Sequence, residues 1–135
     1  MFININNKTV KGSTNEQTFK RAYLTFYTEP ECYYFCIETE ETVQGFPDVL
    51  CIHKKTGVTK LMEFKYTKTG KIKFQPTQPA FYKQCSELKI DIVAYDAKES
   101  RLHFFPASFL FEPSSPYHMS ENNTVDLSRA YKELI

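Results

Sequence analysis

Five short β-prone runs, separated by turn-forming residues, constrain what this chain can fold into. They are residues 32–38 (CYYFCIE), 46–53 (FPDVLCIH), 61–66 (LMEFKY), 90–95 (IDIVAY) and 102–105. Runs of this length, rich in Tyr, Phe, Val and Ile, read as strands. Two other segments read as helices. Ser13 or Thr14 can cap a first helix that carries Glu16 in its opening turn, where a carboxylate suits the dipole, and Phe19, Tyr23 and Phe26 follow at helical spacing. A second helix is expected over 78–88, with Pro76 and Pro79 before or within its first turn, where a missing N–H costs nothing. The segments 39–45, 54–60 and 67–73 read as polar connections, the second with a Thr56-Gly57 turn signal. The resulting order, α-β-β-β-α-β-β, implies an α/β chain with a mixed sheet flanked by helices.

At 135 residues the expectation is a single domain over 1–135, with its core at about 14–106 and a C-terminal extension over 107–135. The extension, with Pro113 and Pro116 near its start, reads as an exposed loop and a short helix at 126–134. No run of about 18 apolar residues is present, so no membrane span is expected. The polar, Asn-rich start lacks the basic flank and apolar stretch of a secretory signal, which makes the cytoplasm the default compartment. Cys32, Cys36, Cys51 and Cys85 form no CxxC and have no His pair at zinc-ligand spacing, so they read as buried, reduced thiols.

The net charge is only +1, but it is unevenly spread. Residues 16–48 carry seven acids against Lys20 and Arg21, whereas residues 54–89 carry nine lysines against Glu63 and Glu87. A lysine-rich surface suits phosphate, and it equally describes an ordinary solvated face.

The chemistry is concentrated on the second and third strands. In LMEFKY, Leu61, Glu63 and Lys65 share one face by alternation. Pairing this strand with FPDVLCIH through a two-residue turn gives opposed residue numbers that sum to 113 and sets Asp48 opposite Lys65. The neighbouring register, with a sum of 111, sets Asp48 opposite Glu63. Either one brings all three side chains out on one sheet face. Two carboxylates beside each other repel unless something positive lies between them. Oxygen ligands with open water positions are how Mg2+ is held, and such an ion can polarise a phosphodiester. Lys65 would then orient or deprotonate the water, or neutralise charge on phosphorus. The bland alternative is a surface salt bridge contributing about 0–1 kcal/mol.

Gly45-Phe46-Pro47-Asp48, then Glu63-Phe64-Lys65, then Gln78-Pro79-Ala80-Phe81 resembles the PD-(D/E)XK nuclease superfamily, most of all its small VRR-NUC and Holliday-junction-resolvase-like branches, over about residues 14–106. The resemblance implies a restriction-endonuclease-like core and a Mg2+-dependent endonuclease acting on DNA, branched or structured DNA included, with Mn2+ as a substitute. It implies that Asp48, Glu63 and the Phe64 carbonyl bind metal, that Lys65 activates water or stabilises charge, and that Gln78, with Gln75 as a competitor, positions phosphate or water. An acid from the first helix often completes such sites, and Glu16 is the candidate here, although a Glu at a helix start also has a plain dipole explanation. Lys54, Lys55, Lys68, Lys71 and Lys73 would hold nucleic-acid phosphates. Small junction-cleaving relatives often act as homodimers.

The acidic stretch before Asp48 departs from this pattern, since it suits DNA only if it faces away. The alternative function is a catalytically inactive domain of the same fold that binds nucleic acid or a protein partner, and an RNA-directed nuclease is a third option. The run Tyr33, Tyr34, Phe35 can stack on unpaired bases, but it reads first as core packing. His53 reads as an ordinary strand end, His103 as structural and His118 as exposed.

Overall fold

The computed structural model describes residues 4–6, 15–26, 28–37 and 45–133. Within these, α1 (Glu16–Phe26) is followed by β2 (Cys32–Cys36), β3 (Val49–His53) and β4 (Thr59–Thr67), and a short strand β1 (Asn4–Asn6) precedes it. Then come β5 (Lys71–Lys73), α2 (Thr77–Gln84), β6 (Ile90–Asp96), β7 (Arg101–Pro106), a 3-10 turn at Ala107–Phe111, β8 (Thr124–Asp126) and α3 (Ser128–Glu133). The expected α-β-β-β-α-β-β core is present in order. β1, β5 and β8 are additions to it, and each spans three residues, too few for alternation to stand out in sequence.

Six strands form one sheet in the order β1-β7-β6-β4-β3-β2, and β5 with β8 forms a separate two-stranded ribbon. β4 and β6 are parallel, joined through α2, while the other pairs are antiparallel, so the sheet is mixed. A parallel pair requires a crossover connection, and here α2 supplies its helix.

The two sheet faces carry separate cores. On one, Phe19 and Tyr23 of α1 pack on Met62, Phe64, Val93 and Tyr95. Phe19 lies 5.7 Å from the Phe64 ring and 5.6 Å from that of Tyr95. On the other, Leu61, Ile92 and Ala94 pack with Phe81 and Tyr82 of α2 and with the C-terminal segment. That segment is not the expected exposed extension: Leu110, Tyr117, Val125, Leu127 and Ala130 are all buried. The Tyr117 ring stacks on Phe105 at 3.8 Å and 4°. Its two prolines suggested a surface loop, but the loop carries apolar residues that fill the α2 side of the sheet.

Other local readings are corrected as well. Ser13 and Thr14 lie outside the described residues, and Asn15 makes the cap. Its Oδ1 accepts from Thr18 N–H at 2.9 Å, while Asn15 N–H donates to Thr18 Oγ1 at 3.1 Å, a reciprocal capping box. Of the cysteines only Cys51 is buried. Cys32 and Cys85 are half-buried, Cys36 is exposed, and all four are free thiols. Tyr33 and Phe35 are not core residues but lie half-exposed on β2. His118 is half-buried rather than exposed. No helix among the described residues is long and apolar enough to cross a membrane.

Candidate metal centre

The β3–β4 register decides how the acids meet. Val49 pairs with Met62 and Ile52 with Thr59, the sum of 111 rather than 113. The ladder continues outward through His53 N–H to Val58 O (2.9 Å), leaving a four-residue turn closed by Gly57 at φ +70°. His53 Nδ1 accepts from Thr56 N–H at 3.3 Å, the strand-end role expected of it. At the other end of β3, Asp48 stands opposite Glu63, one position beyond the last pair.

Asp48 bridges three strands there. Its carbonyl accepts from Ile37 N–H beside β2 (2.8 Å), and its Oδ2 accepts from Phe64 N–H of β4 (3.1 Å), a donor that β3 no longer reaches. The carboxylate thus replaces a lost ladder bond and is fixed by it. In an extended strand a residue's N–H and C=O point to the same side. The Phe64 carbonyl therefore lies on the same edge of β4 as Asp48.

Glu63 is 3% exposed, and its Oε1 is buried without a hydrogen-bond partner. Its neighbours on β6 are apolar, Glu63 pairing with Ile92 and Lys65 with Ala94. Burial, then the Asp48 charge, holds the Glu63 carboxyl far above the usual carboxylate range, against the pull of Lys65. Glu16 sits three residues before Phe19, so the packing of α1 brings it to the same place. Glu16, Asp48 and Glu63 each offer an oxygen, all within 4.8 Å of one another. Glu16 is at the solvent rim. Partial desolvation and the Asp48 charge raise its pKa, while Lys65 and Lys20 lower it. An open cleft of about 420 Å3 lined by Asn15, Glu16, Gln17, Lys20 and Asp48 gives access to this oxygen-rich corner.

Lys65 Nζ lies 4.0 Å from Glu63 Oε2, donates to Gln78 Oε1 at 3.0 Å and rests 4.8 Å above the Phe74 ring. Gln75 N–H donates to the same Gln78 oxygen at 2.8 Å. Two donors converging on one atom identify it as the amide oxygen. Of the two glutamines, Gln78 is therefore the one that holds Lys65, and Gln75 orders Gln78 through its backbone. Gly45 makes this meeting possible. It has φ +87°, and a Cβ on it would stand 2.1 Å from Thr77 O, so only glycine lets the Pro-Asp loop touch the start of α2.

Sequence reasoning missed Tyr82, one turn after Gln78. Its hydroxyl is buried without a partner, and burial, then Glu63, then Asp48 raise its pKa. An unmet hydrogen bond leaves no trace in composition or spacing; only the i, i+4 relation to Gln78 hinted at it. The lysines divide into two groups. Lys68, Lys71 and Lys73 are exposed on the segment after β4, at the Asp48 end of the sheet. Lys54 and Lys55 sit in the turn at the far end of β3, roughly 20 Å from Asp48 at the rise of a strand.

The chain matches no protein-family profile, no curated protein and no solved structure, so the geometry alone carries the functional reading.

Proposed function

We propose that this chain is a Mg2+-dependent endonuclease with a restriction-endonuclease-like core, hydrolysing phosphodiester bonds in DNA and working also with Mn2+. The observation that carries this reading is Glu63 Oε1, a buried and unpartnered carboxylate oxygen within a three-acid cluster. A buried anion of this kind is costly unless a cation meets it. The donors are all carboxylate oxygens, which suits a hard ion such as Mg2+ or Mn2+ rather than zinc.

Glu16, Asp48 and Glu63, with the Phe64 carbonyl, would hold the ion. When bound, it supplies Lewis acidity at a phosphate oxygen and a lowered pKa for water. The chain's own residues do the remaining work. Gln78 fixes the Lys65 ammonium at the edge of the acid cluster, where it neutralises charge developing on phosphorus or orders the attacking water. Asp48 is held by the Phe64 N–H and so needs little reorganisation. Phe74, Ile92 and Ala94 keep water from beneath the site. The lysines at 68, 71 and 73 supply positive charge on the same end of the sheet for the flanking phosphates.

The test is a cleavage panel of single-stranded, duplex, flap and four-way DNA, plus RNA, with Mg2+ and Mn2+. Wild type is expected to cut at least one DNA. Asp48→Asn, which keeps the carbonyl-type acceptor for Phe64 N–H, and Lys65→Ala should each lose at least about a hundredfold in rate. Mg2+ should raise the Tm of wild type and not that of Asp48→Asn. Absence of both cleavage and a metal-induced Tm shift would leave a non-catalytic binding domain as the better reading.

A further inference from the structure

We propose that β2 carries a stacking platform for unpaired DNA nucleotides, built from Tyr33 and Phe35, and that the substrate is cut beside such a stretch. The second half of this rests on the endonuclease reading; the binding does not.

Tyr33 and Phe35 are 52% and 50% exposed, among the few large hydrophobic side chains of the described residues that face solvent. They lie on one face with ring centroids 6.2 Å apart. That face is the one that carries Asp48 and Glu63. Phe35 pairs with Leu50 and Tyr33 with Ile52, and these two alternate on β3 with Asp48. Ile37, beside Asp48, completes the line. From the metal centre the surface therefore runs past Ile37 to Phe35 and then Tyr33, about 13 Å along the strand. It ends at Lys54, whose Nζ is 4.9 Å above the Tyr33 ring, with Lys55 next to it in the same exposed turn.

An apolar sheet face alone names no occupant, but here the charge does. Two flat rings followed by two ammonium groups match the base-and-phosphate repeat of a single strand, whose bases stack on aromatics without regard to sequence. Lys54 would move from the Tyr33 ring onto a phosphate. Glu29 and Glu31, exposed just before β2, repel phosphate and bound the path to about two stacked bases. Paired DNA has no free base faces to offer, so flaps, overhangs and single strands are favoured over blunt duplex. The platform also gives Lys54 and Lys55, remote from the acids, a place in the footprint.

The experiment uses the full chain in EDTA and follows binding of dye-labelled oligo-dT by fluorescence anisotropy, with oligo-U as the RNA arm. Replacing both rings (Tyr33→Ala with Phe35→Ala) should weaken oligo-dT binding at least about tenfold. Tyr33→Phe with Phe35→Tyr should keep it. Lys54→Ala should lower the salt slope by about 0.7, the value for one phosphate on a single strand. Should the alanine pair reduce the Tm, Tyr33→Leu with Phe35→Leu, which keeps apolar bulk on β2 and removes both rings, should show the same loss. The chain has no Trp, and oligo-dT should quench wild-type tyrosine emission more than that of the variant. Unchanged affinity in the double alanine variant overturns the proposal. So does a wild type that binds no oligo-dT, stronger binding of oligo-U than of oligo-dT, or sedimentation showing a dimer that the double variant dissolves. If wild type binds oligo-dT through these rings yet cleaves nothing, the endonuclease reading fails and the platform stands. If it cleaves with no role for the rings, the reverse holds.

Discussion

Glu63 is the residue at which stability and function pull apart. Its carboxyl is buried next to Asp48, with one oxygen unmet, and nothing in the apolar β6 neighbours Ile92 and Ala94 offsets that cost. Glu63→Gln removes the like-charge repulsion and leaves an amide of the same shape. Metal-free Glu63→Gln is therefore expected to melt several degrees above wild type, about 1 kcal/mol or more, while losing the Mg2+-induced rise in Tm and the cleavage activity. The sign with pH follows from the raised pKa. A carboxyl more basic when folded than when unfolded favours the folded state at low pH. This contribution is lost as pH rises above the unfolded value near 4.5 and through the raised folded one. Metal-free wild type should lose this contribution on going from pH 5 to pH 8, and Glu63→Gln should not. Melting curves of both proteins in EDTA at those two pH values check it; parallel pH dependence would mean that Glu63 is not held as described.

Among the elements, the joint between the Pro-Asp loop and α2 is the most specific. Gly45 brings the loop so close to Thr77 O that no Cβ fits, and its φ of +87° disfavours one independently. Gly45→Ala is expected to cost about 2 kcal/mol or more, and to reduce activity further than the Tm loss explains, because Asp48 and Gln78 separate. Urea unfolding together with rates measured well below the Tm distinguishes the two effects. A Gly45→Ala protein with wild-type stability would show that the loop can move away freely. Part of this joint was legible beforehand: Asp48, Glu63 and Lys65 stand out because charged residues gathered on one strand face are an unusual choice, whereas Gly45, Pro47 and Gln78 entered only through the family resemblance. The register was legible only to within two residues. Alternation fixes which face a side chain takes, whereas the loop length sets which residue stands opposite, and His53 with Gly57 builds a four-residue turn where a two-residue one was the simpler expectation. Tyr33 and Phe35 misled for a related reason. Aromatic content marks a strand but not whether it lies at the edge of its sheet, and β2 is the last strand of this one.

At the scale of the whole molecule, the C-terminal segment is a structural wall, tied to the sheet by a chain of polar contacts that passes through a buried histidine. Tyr131 O–H donates to Asp96 Oδ2 at 2.6 Å, so its oxygen is left to accept from His103 Nε2–H at 3.0 Å. His103 Nδ1 must then accept from Tyr117 O–H at 2.7 Å. Only neutral imidazole serves this chain, and β7 buries His103 completely. Burial, with a smaller push from Arg101 and against the pull of Asp96, depresses its pKa to about 4 from 6.5. For a base depressed on folding, the unfolded chain takes up the proton first. The stabilisation is complete above pH 6.5 and is lost as pH falls from there towards 4. About 2 kcal/mol should disappear between pH 7 and pH 5 from this group alone. Glu63 works in the opposite sense over the same interval, so the wild-type curve by itself does not isolate the histidine. The difference between wild type and His103→Asn does, because the Glu63 contribution cancels while Asn can still accept from Tyr117. The variant is expected to be less stable at pH 7 and to close most of that gap by pH 5 in urea unfolding. A gap that stays constant across the interval would mean that His103 takes up its proton as readily in the fold as in the unfolded chain, and that the tyrosines hold the C-terminal segment in some other way.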